Sequence, residues 1–255
     1  MTPATISIVS HGQAAMVSSL LGNLANQVGA ACCRYVVTLN IPESVELVVP
    51  AALSDVVILR NATPKGFGEN HNAAFEHCIG DWFLVLNPDL TFHQPDTLLT
   101  LLAATPTSVD GVLAPQIVDQ NGRLADAVRS NLTPWSLLLR ILKRDVGRRL
   151  SEEGAGSGRF YWFSGMCLVV SATAYRAVGG FDERFFLYCE DYDLCARLYL
   201  AGYHLRSISG VRVEHRAQRD SHRKLRWLLW HIQSLMRVWC SPVVWRVCLA
   251  DYQRK

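Results

Sequence analysis

Strand-like and helix-like segments alternate along the first half of the chain, and this alternation limits the folds that the sequence can adopt. Short apolar runs predict strands, and apolar residues that recur at three and four predict helices. The predicted strands are residues 5–9, 35–39, 45–49, 56–59 and 82–86, with helices over residues 14–27 and 70–78. This order predicts an α/β fold with a mostly parallel central sheet and helices on both faces.

The second half continues the pattern less regularly. A charged, glycine-rich stretch over residues 144–159 lacks any period and predicts a loop. The last forty residues carry a helical apolar stripe with a neighbouring basic stripe, which predicts an amphipathic extension. The further predicted elements are helices 95–103, 173–178 and 192–201 and strands 112–118 and 160–170.

Length and composition bound the class of protein. The 255 residues, half of them hydrophobic, suffice for one large globular domain with a helical appendix. No run approaches the roughly 18 apolar residues of a membrane span, and the start has no signal-peptide pattern, so we expect a cytoplasmic protein. The eight cysteines lie mostly in apolar surroundings and show no zinc spacing, so we expect reduced thiols.

The predicted strand over residues 82–86 runs directly into Asn87-Pro88-Asp89. Pro88 ends the strand, because it cannot donate to a sheet. A carboxylate at the carboxyl end of a strand lies where open α/β sheets bind ligands, and its oxygens suit a hard cation. Asp89 is therefore a candidate metal ligand, although the same three residues also favour an ordinary turn.

Two further stretches carry candidate chemistry. Gly66 and Gly68 flank Phe67, and such glycines let the backbone approach a ligand closely. Glu190 and Asp191 begin a predicted helix, where the helix dipole favours negative charge. Acidic residues in a first turn are also common as plain caps, so both interpretations of this second stretch stay open.

The motifs together resemble the family 2 inverting glycosyltransferases, above all the rhamnosyltransferase-like members of bacterial O-antigen and polysaccharide synthesis. The resemblance covers roughly residues 6–237, with its motifs in the family's order. It implies a GT-A fold, a nucleotide-sugar donor and a divalent cation, Mg²⁺ or Mn²⁺. The motifs are Gly66-Phe67-Gly68, Leu86-Asn87-Pro88-Asp89, Phe163-Ser164-Gly165-Met166, Gly179-Gly180-Phe181-Asp182-Glu183 and Glu190-Asp191-Tyr192-Asp193.

The resemblance also implies roles for residues on the donor side. Asp89 matches the carboxylate of the family's metal motif, with Asn87 in place of a first carboxylate, and His215 matches a histidine that completes the metal or diphosphate site. Asn40 stands where relatives read the nucleotide base with an aspartate. The residues expected to bind the donor are Ser10, His11, Asn40, Lys65, Gly66, Phe67, Gly68, Asn72, Asn87, Asp89 and Arg219.

On the acceptor side, the resemblance implies that Asp191 is the general base of a single displacement. Trp162, Gly165 and Glu190 are expected to bind the acceptor, although Trp162 could equally be a core residue. The expected reaction moves L-rhamnose from dTDP-rhamnose to a glycan or lipid-linked acceptor. A UDP- or GDP-sugar donor and an inactive sugar-nucleotide-binding module are the alternatives. A dinucleotide oxidoreductase is disfavoured, because the first strand is not followed by the required glycine pattern.

We expect a glycosyltransferase domain over residues 1–218, with a donor-binding half over about 1–120 and an acceptor half over about 121–218. Residues 219–255 would form the C-terminal helical extension. Its basic, tryptophan-bearing face is suited either to packing on the domain or to peripheral contact with the cytoplasmic face of the inner membrane. A nucleic-acid role is not expected, since the net charge is only +3 and no recognition motif occurs.

Overall fold

A computed structural model describes residues 3–103, 109–141, 160–216 and 224–253. The central sheet has eight strands in the order β3-β2-β1-β4-β9-β6-β10-β5, and β7 and β8 form a separate antiparallel pair. The strands are β1 Ala4–Ser10, β2 Cys33–Leu39, β3 Val56–Arg60, β4 Trp82–Leu86, β5 Leu90–Thr91, β6 Asp110–Val118, β7 Val128–Ser130, β8 Tyr161–Phe163, β9 Cys167–Ser171 and β10 His204–His215.

Helices cover both faces of this sheet, as the sequence predicts. They are α1 Ala14–Ala25, α2 Phe67–Phe75, α3 Thr97–Ala103, α4 Pro134–Ile141, α5 Ala172–Ala177, α6 Glu190–Leu200, α7 Lys224–Cys240 and α8 Pro242–Gln253, with a 3-10 turn at Ala30–Cys32. In β4, Phe83 and Val85 join one apolar core, and Leu84 and Leu86 join the other. The two cores therefore lie on opposite faces, because successive side chains of a strand point to opposite sides.

Strands β1 to β4 pair in parallel, whereas β9 is antiparallel to both β4 and β6. This reversal brings the start of β9 beside the end of β4, where Leu86 pairs with Cys167. The carboxyl ends of the parallel strands and the chain segment that enters β9 therefore share one edge of the sheet.

Two strand predictions are wrong. Residues 45–49 form no strand: β3 occupies the free edge of β2, and Val45 and Val48 are exposed. The predicted strand 160–170 is two strands, β8 and β9, which belong to different sheets and are separated at residues 164–166. The predicted loop 144–159 lies outside the described residues.

The C-terminal extension contains two helices, of which only the first was predicted. Leu235 and Val238 of α7, with Val244 and Val247 of α8, are buried in the core beneath α6. A second face of α7 stays exposed. One helix thus both packs on the domain and presents apolar residues to its surroundings. Within the described residues, no helix is both long enough and apolar enough to traverse a membrane.

Candidate active site

The segment Ser164-Gly165-Met166, between β8 and β9, joins the two stretches that the sequence singles out. The Asn87 N–H donates to the Met166 carbonyl oxygen at 2.9 Å. The Gly165 N–H donates to Oδ2 of Asp191, also at 2.9 Å. The Asn-Pro-Asp turn and the start of α6 therefore lie at the same edge of the sheet, about 100 residues apart in sequence but one short segment apart in space.

Residues 65–68, called here the glycine turn, reach the same point. A Cβ added to Gly165 would lie 3.3 Å from the Phe67 ring and 3.6 Å from the Asp191 Cβ. The Phe67 N–H donates to the Phe186 carbonyl oxygen at 2.9 Å. The glycine turn, residues 164–166 and Asp191 thus pack against one another.

The turn has glycine at positions 66 and 68 because neighbouring atoms leave no room for a side chain. Gly66 has an ordinary φ of −67°. A Cβ at Gly66 would stand 2.9 Å from the Phe186 carbonyl oxygen, and one at Gly68 would stand 2.6 Å from the Phe181 Cβ. The absence of a side chain at Gly66 and Gly68 therefore lets the turn pack against residues 181–186. The expectation that the backbone of this turn also binds the donor stays a prediction.

Three asparagines hold the glycine turn in place. Oδ1 of Asn40 accepts from the Lys65 N–H and from Asn61, and its Nδ2 donates to the Lys65 carbonyl oxygen and pairs with His11. Asn61 also donates to Asn70, whose own amide donates to the carbonyl oxygens of the turn. An asparagine has two donor and two acceptor positions. Asn40 has none left for a nucleotide base, so its predicted base contact is corrected to a positioning role.

The Ser10 hydroxyl likewise makes its hydrogen bonds within the protein. Its hydroxyl donates to Glu43 and accepts from the Gln13 N–H. Glu43 also accepts the N–H groups of Gly12 and Ala14, so it caps the start of α1 from a distant loop. The predicted donor contact of the Ser10 side chain is corrected for this reason. His11 stays exposed beside Asn40.

The side chain of Asn72, on α2, faces residues 175–183 and not the glycine turn. Its four hydrogen-bonding positions contact Tyr175, Phe181 and Glu183. Asn72 therefore ties α2 to the turn after α5, and its predicted donor contact is corrected. Lys65 keeps its ammonium group at the surface, 3.1 Å from Glu69.

Asp89 and His215 form a close pair. Nε2 of His215 is 3.1 Å from Oδ2 of Asp89, and the Arg216 N–H donates to the Asp89 carbonyl oxygen. Oδ1 of Asp89 is buried and has no hydrogen-bond partner among the described residues. An unpaired buried carboxylate oxygen beside an imidazole fits a divalent cation, which would complete its coordination with water and phosphate oxygens.

No cluster of three or more metal-ligating side chains occurs in the described residues. The two-residue arrangement suits Mg²⁺ or Mn²⁺, because such ions are commonly held by one or two side chains together with substrate phosphates. The predicted donor contact of Arg219 falls outside the described residues.

Asp191 and Glu190 are adjacent carboxylates with different surroundings. Burial raises the pKa of Asp191, against the opposing effects of the Gly165 and Tyr192 N–H groups and of the Arg129 charge. Burial and the neighbouring Asp191 raise the pKa of Glu190 well above its ordinary value. Oε2 of Glu190 has no partner among the described residues. Two backbone N–H groups thus favour the charged form of Asp191, whereas Oε2 of Glu190 receives no such bond from the described residues.

Trp162 is a core residue, which corrects its predicted stacking on an acceptor sugar. Only 3% of its surface is exposed, and its indole N–H donates to the Ser130 carbonyl oxygen. One face is covered by Arg129, whose guanidinium lies 5.2 Å from the ring centroid. The sequence does not predict a role for Arg129, Asn61 or Glu43. No local motif marks such residues, because each contacts an element that is distant in the chain.

Comparison with known proteins assigns the chain to a family. The sequence model for "Glycosyl transferase family group 2" matches residues 91–252, which is more than half of the chain. The chain belongs to this family 2 group. It is 32% identical over 160 residues to N-acetylglucosaminyl-diphospho-decaprenol L-rhamnosyltransferase of Mycobacterium tuberculosis strain H37Rv, covering 56% of this chain and 49% of that protein. The family 2 chain thus spans about half the length of this relative.

A second relative of this family 2 chain is the rhamnosyltransferase WbbL of Escherichia coli K12, 27% identical over 68% of this chain and 69% of that protein. Among solved structures, the mannosyltransferase PcManGT of Pyrobaculum calidifontis, in complex with GDP-Man and Mn²⁺, superposes with a TM-score of 0.62 at 13% identity. That match covers 98% of this chain and 69% of that chain. S. aureus TarS 1-349 with UDP-GlcNAc gives a TM-score of 0.57 at 15% identity, over 87% and 60% of the two chains. The fold is accordingly GT-A.

Proposed function

We propose that this chain is an inverting rhamnosyltransferase that moves L-rhamnose from dTDP-rhamnose to a sugar linked to a lipid diphosphate. The observation that supports the proposal is the segment at residues 164–166, which contacts the glycine turn, the Asn87-Pro88-Asp89 turn and Asp191 at one edge of the sheet. The printed names of the mycobacterial and E. coli relatives support rhamnose as the sugar, and the mycobacterial name supports the lipid diphosphate acceptor.

Asp191 performs the proton transfer in this proposal. Its charged form accepts the proton of the acceptor hydroxyl while that oxygen bonds to the anomeric carbon of rhamnose. The bond from the anomeric carbon to the diphosphate oxygen breaks in the same step, and dTDP leaves with the electron pair. One displacement inverts the configuration at that carbon. The Gly165 and Tyr192 N–H groups hold the carboxylate in place throughout.

Asp89 and His215 would hold a divalent cation, Mg²⁺ or Mn²⁺, which supplies positive charge to the leaving diphosphate when bound. Lys65 can add a further positive charge, because its ammonium group lies at the surface of the glycine turn. Proposed donor contacts also come from His11, from Asn87 and from the backbone of Gly66, Phe67 and Gly68.

Incubation of the chain with dTDP-L-rhamnose, Mn²⁺ and N-acetylglucosaminyl diphosphate on a short lipid tests the function. Release of dTDP together with a rhamnosylated product, identified by mass spectrometry, is the expected result. UDP-GlcNAc and GDP-mannose serve as competing donors. Product from one of these alone would replace the rhamnose assignment. Donor binding without any product would indicate a binding module instead of an enzyme.

We further propose that α7 places the chain on the cytoplasmic face of the inner membrane. Its exposed face follows helical spacing through Leu225, Leu228, Leu229, Ile232 and Met236. Arg226 lies over Trp230, and Arg237 lies over Phe185, so guanidinium groups flank this face. An apolar helix face with flanking arginines is complementary to an anionic lipid surface.

Co-sedimentation with phosphatidylglycerol vesicles tests this contact. The Leu228→Glu, Ile232→Glu double variant is expected to stay in the supernatant, whereas the wild type pellets. Val45→Glu with Val48→Glu is the matched control, because both valines are equally exposed on another part of the surface. Equal loss in both double variants, or equal binding of the wild type to phosphatidylcholine, would contradict the proposal.

A further inference from the structure

The backbone pairing that brings His215 beside Asp89 is short. Strand β5, which follows Asp89, has two residues, lies at the edge of the sheet and pairs with β10 at Glu214 and His215. The Arg216 N–H adds one hydrogen bond to the Asp89 carbonyl oxygen. Metal–ligand distances vary by only about 0.2 Å, so two ligands on different strands need firm support to serve one cation. A contact that joins these strand ends is therefore of interest.

The Glu214 side chain makes such a contact. Glu214 and His215 are successive residues of β10, so their side chains point to opposite faces of the sheet. Oε2 of Glu214 accepts a hydrogen bond from Nε2 of His93 at 2.6 Å, and Oε1 accepts one from Nε of Arg216 at 2.7 Å. Both carboxylate oxygens are thus engaged, and only 11% of the Glu214 side chain is exposed. We call His93, Glu214 and Arg216 the Glu214 clamp.

The His93 end of the clamp stands on a segment that is anchored to α1. The preceding residue, Phe92, is buried. Its N–H donates to Oδ1 of Asn23 at 2.7 Å, and the Asn23 amide donates to its carbonyl oxygen at 3.0 Å. Asn23 lies on α1, which packs on the apolar core of one sheet face. Through His93, Glu214 therefore ties the end of β10 to a fixed part of the domain.

The Arg216 end of the clamp reaches the candidate metal ligand. The backbone of Arg216 bonds to Asp89, and its side chain bonds to Glu214. The clamp thus joins β10 to the segments on both sides of β5, from the face opposite His215. Hydrogen bonds to a charged carboxylate are stronger than those between neutral groups, so they can fix a strand end that two backbone pairs hold only loosely.

We propose that Glu214 is a positioning residue for the cation site, which holds the ends of β5 and β10 at the separation that lets Asp89 and His215 share one divalent cation. This inference rests on the proposed function. Glu214 does not touch the cation in this proposal. It acts through the backbone of His215, in the way that groups behind metal ligands orient those ligands.

Binding of Mn²⁺ alone, followed by the loss of the electron paramagnetic resonance signal of the free ion, tests the clamp without nucleotide or turnover. Glu214→Ala removes both hydrogen bonds, and His93→Ala removes the one that reaches the anchored segment. Each variant is expected to raise the Kd of Mn²⁺ about tenfold, the lower end of the losses for groups that support metal ligands. His93→Gln keeps an N–H donor, so its Kd is expected to return toward that of the wild type.

Asp110→Ala is the matched control. The buried Asp110 carboxylate accepts two hydrogen bonds from Arg206 and ties the opposite end of β10 to β6. The control is expected to bind Mn²⁺ as tightly as the wild type. A rise in Kd equal to that of Glu214→Ala would indicate a general loosening of β10 and would overturn the proposal.

An unchanged Kd in both Glu214→Ala and His93→Ala also overturns the clamp. If Glu214→Ala does not fold, His93→Ala decides, because the His93 side chain is 57% exposed and its removal leaves the core intact. Failure of the wild type to bind Mn²⁺ would refute the cation site and the clamp together. A clamp effect on Mn²⁺ affinity in a chain that transfers no rhamnose would refute only the proposed reaction.

Discussion

The glycine turn and residues 188–191, called here the acidic turn, meet at the same edge of the sheet but are built by opposite means. The glycine turn is held by the amides of Asn40, Asn61 and Asn70, whose hydrogen bonds are satisfied within the protein. The acidic turn contains two left-handed residues, at a cost of about 1–3 kcal/mol each, and an unpaired buried carboxyl oxygen on Glu190. From this contrast we expect the first region to be a rigid support and the second to carry the proposed chemistry.

Asp191→Asn is expected to have the largest effect, because it removes the proposed base and keeps the shape. Loss of general base catalysis lowers kcat by about 10²–10⁴-fold. Donor affinity, measured by titration with dTDP-rhamnose, is expected to stay near that of the wild type, since Asp191 belongs to the acidic turn. Full activity in this variant would remove Asp191 from the mechanism. A parallel loss of donor affinity would break the distinction between the two turns.

The pH dependence of the wild type sharpens the assignment. Burial raises the pKa of Asp191 above its ordinary value of 3.8, so the base becomes protonated, and inactive, at a higher pH than a solvent-exposed aspartate would. The acid limb of kcat/KM is expected to lie above pH 3.8 and to fall tenfold per pH unit below its midpoint. A limb at or below that ordinary value would contradict the desolvated base.

Asp89→Ala is expected to weaken the stabilisation of the donor's leaving diphosphate instead of the proton transfer. Removing one electrostatic contact to a leaving group costs on the order of 10²-fold in rate. The variant should also require more Mn²⁺ for half-maximal turnover, and a manganese titration at fixed donor measures this. Glu69→Ala, which removes a surface carboxylate beside Lys65, is the control and should leave the manganese requirement unchanged. An unaltered manganese dependence in Asp89→Ala would refute the metal assignment.

Asn70→Ala tests the rigidity of the glycine turn. It removes the amide that binds the Lys65 and Gly66 carbonyl oxygens and leaves buried groups unpaired, which costs about 1–3 kcal/mol of unfolding free energy. Chemical denaturation measures that loss, and the KM for the donor should rise with little change in kcat. Asn26→Ala, which loses one exposed hydrogen bond to Gly22, is the control and should change neither quantity.

Local pattern in the sequence predicts most of the sheet, because buried strands such as residues 82–86 are marked by their own side chains. It fails at residues 45–49, since a strand also needs a free neighbouring edge, and β3 occupies that edge. It fails again at residues 164–166, where the chain leaves one sheet for another. The motifs bring Asp89 and Asp191 to one edge of the sheet, because both follow from where an element ends or begins, and their roles there stay predictions.

The direction of a side chain is harder to predict from sequence. Asn72 stands two residues after Asn70 in the same motif, but on a helix such residues point to different sides, and Asn72 contacts Phe181 instead of the glycine turn. Arg129 and His231 belong to no motif, since β7 and α7 bring them beside Trp162 and Tyr188 only in the folded chain. Contacts that cross between elements are therefore the part of the site that required the structure.

Glu190→Gln is expected to have the smallest effect and tests the acidic turn most directly. The folded-state pKa of Glu190 is raised above the ordinary 4.5, so the folded chain binds this proton more tightly than the unfolded chain does. The contribution of Glu190 to stability is thus fully present below about pH 4.5 and is lost as the pH rises through the raised value. Glutamine keeps the shape of the protonated acid at every pH. Denaturation curves should therefore show a variant as stable as the wild type at acid pH and more stable at neutral pH, by about 1 kcal/mol. If the wild type is the more stable protein at neutral pH, Glu190 is charged and paired in the folded chain, and the contrast between the two turns fails.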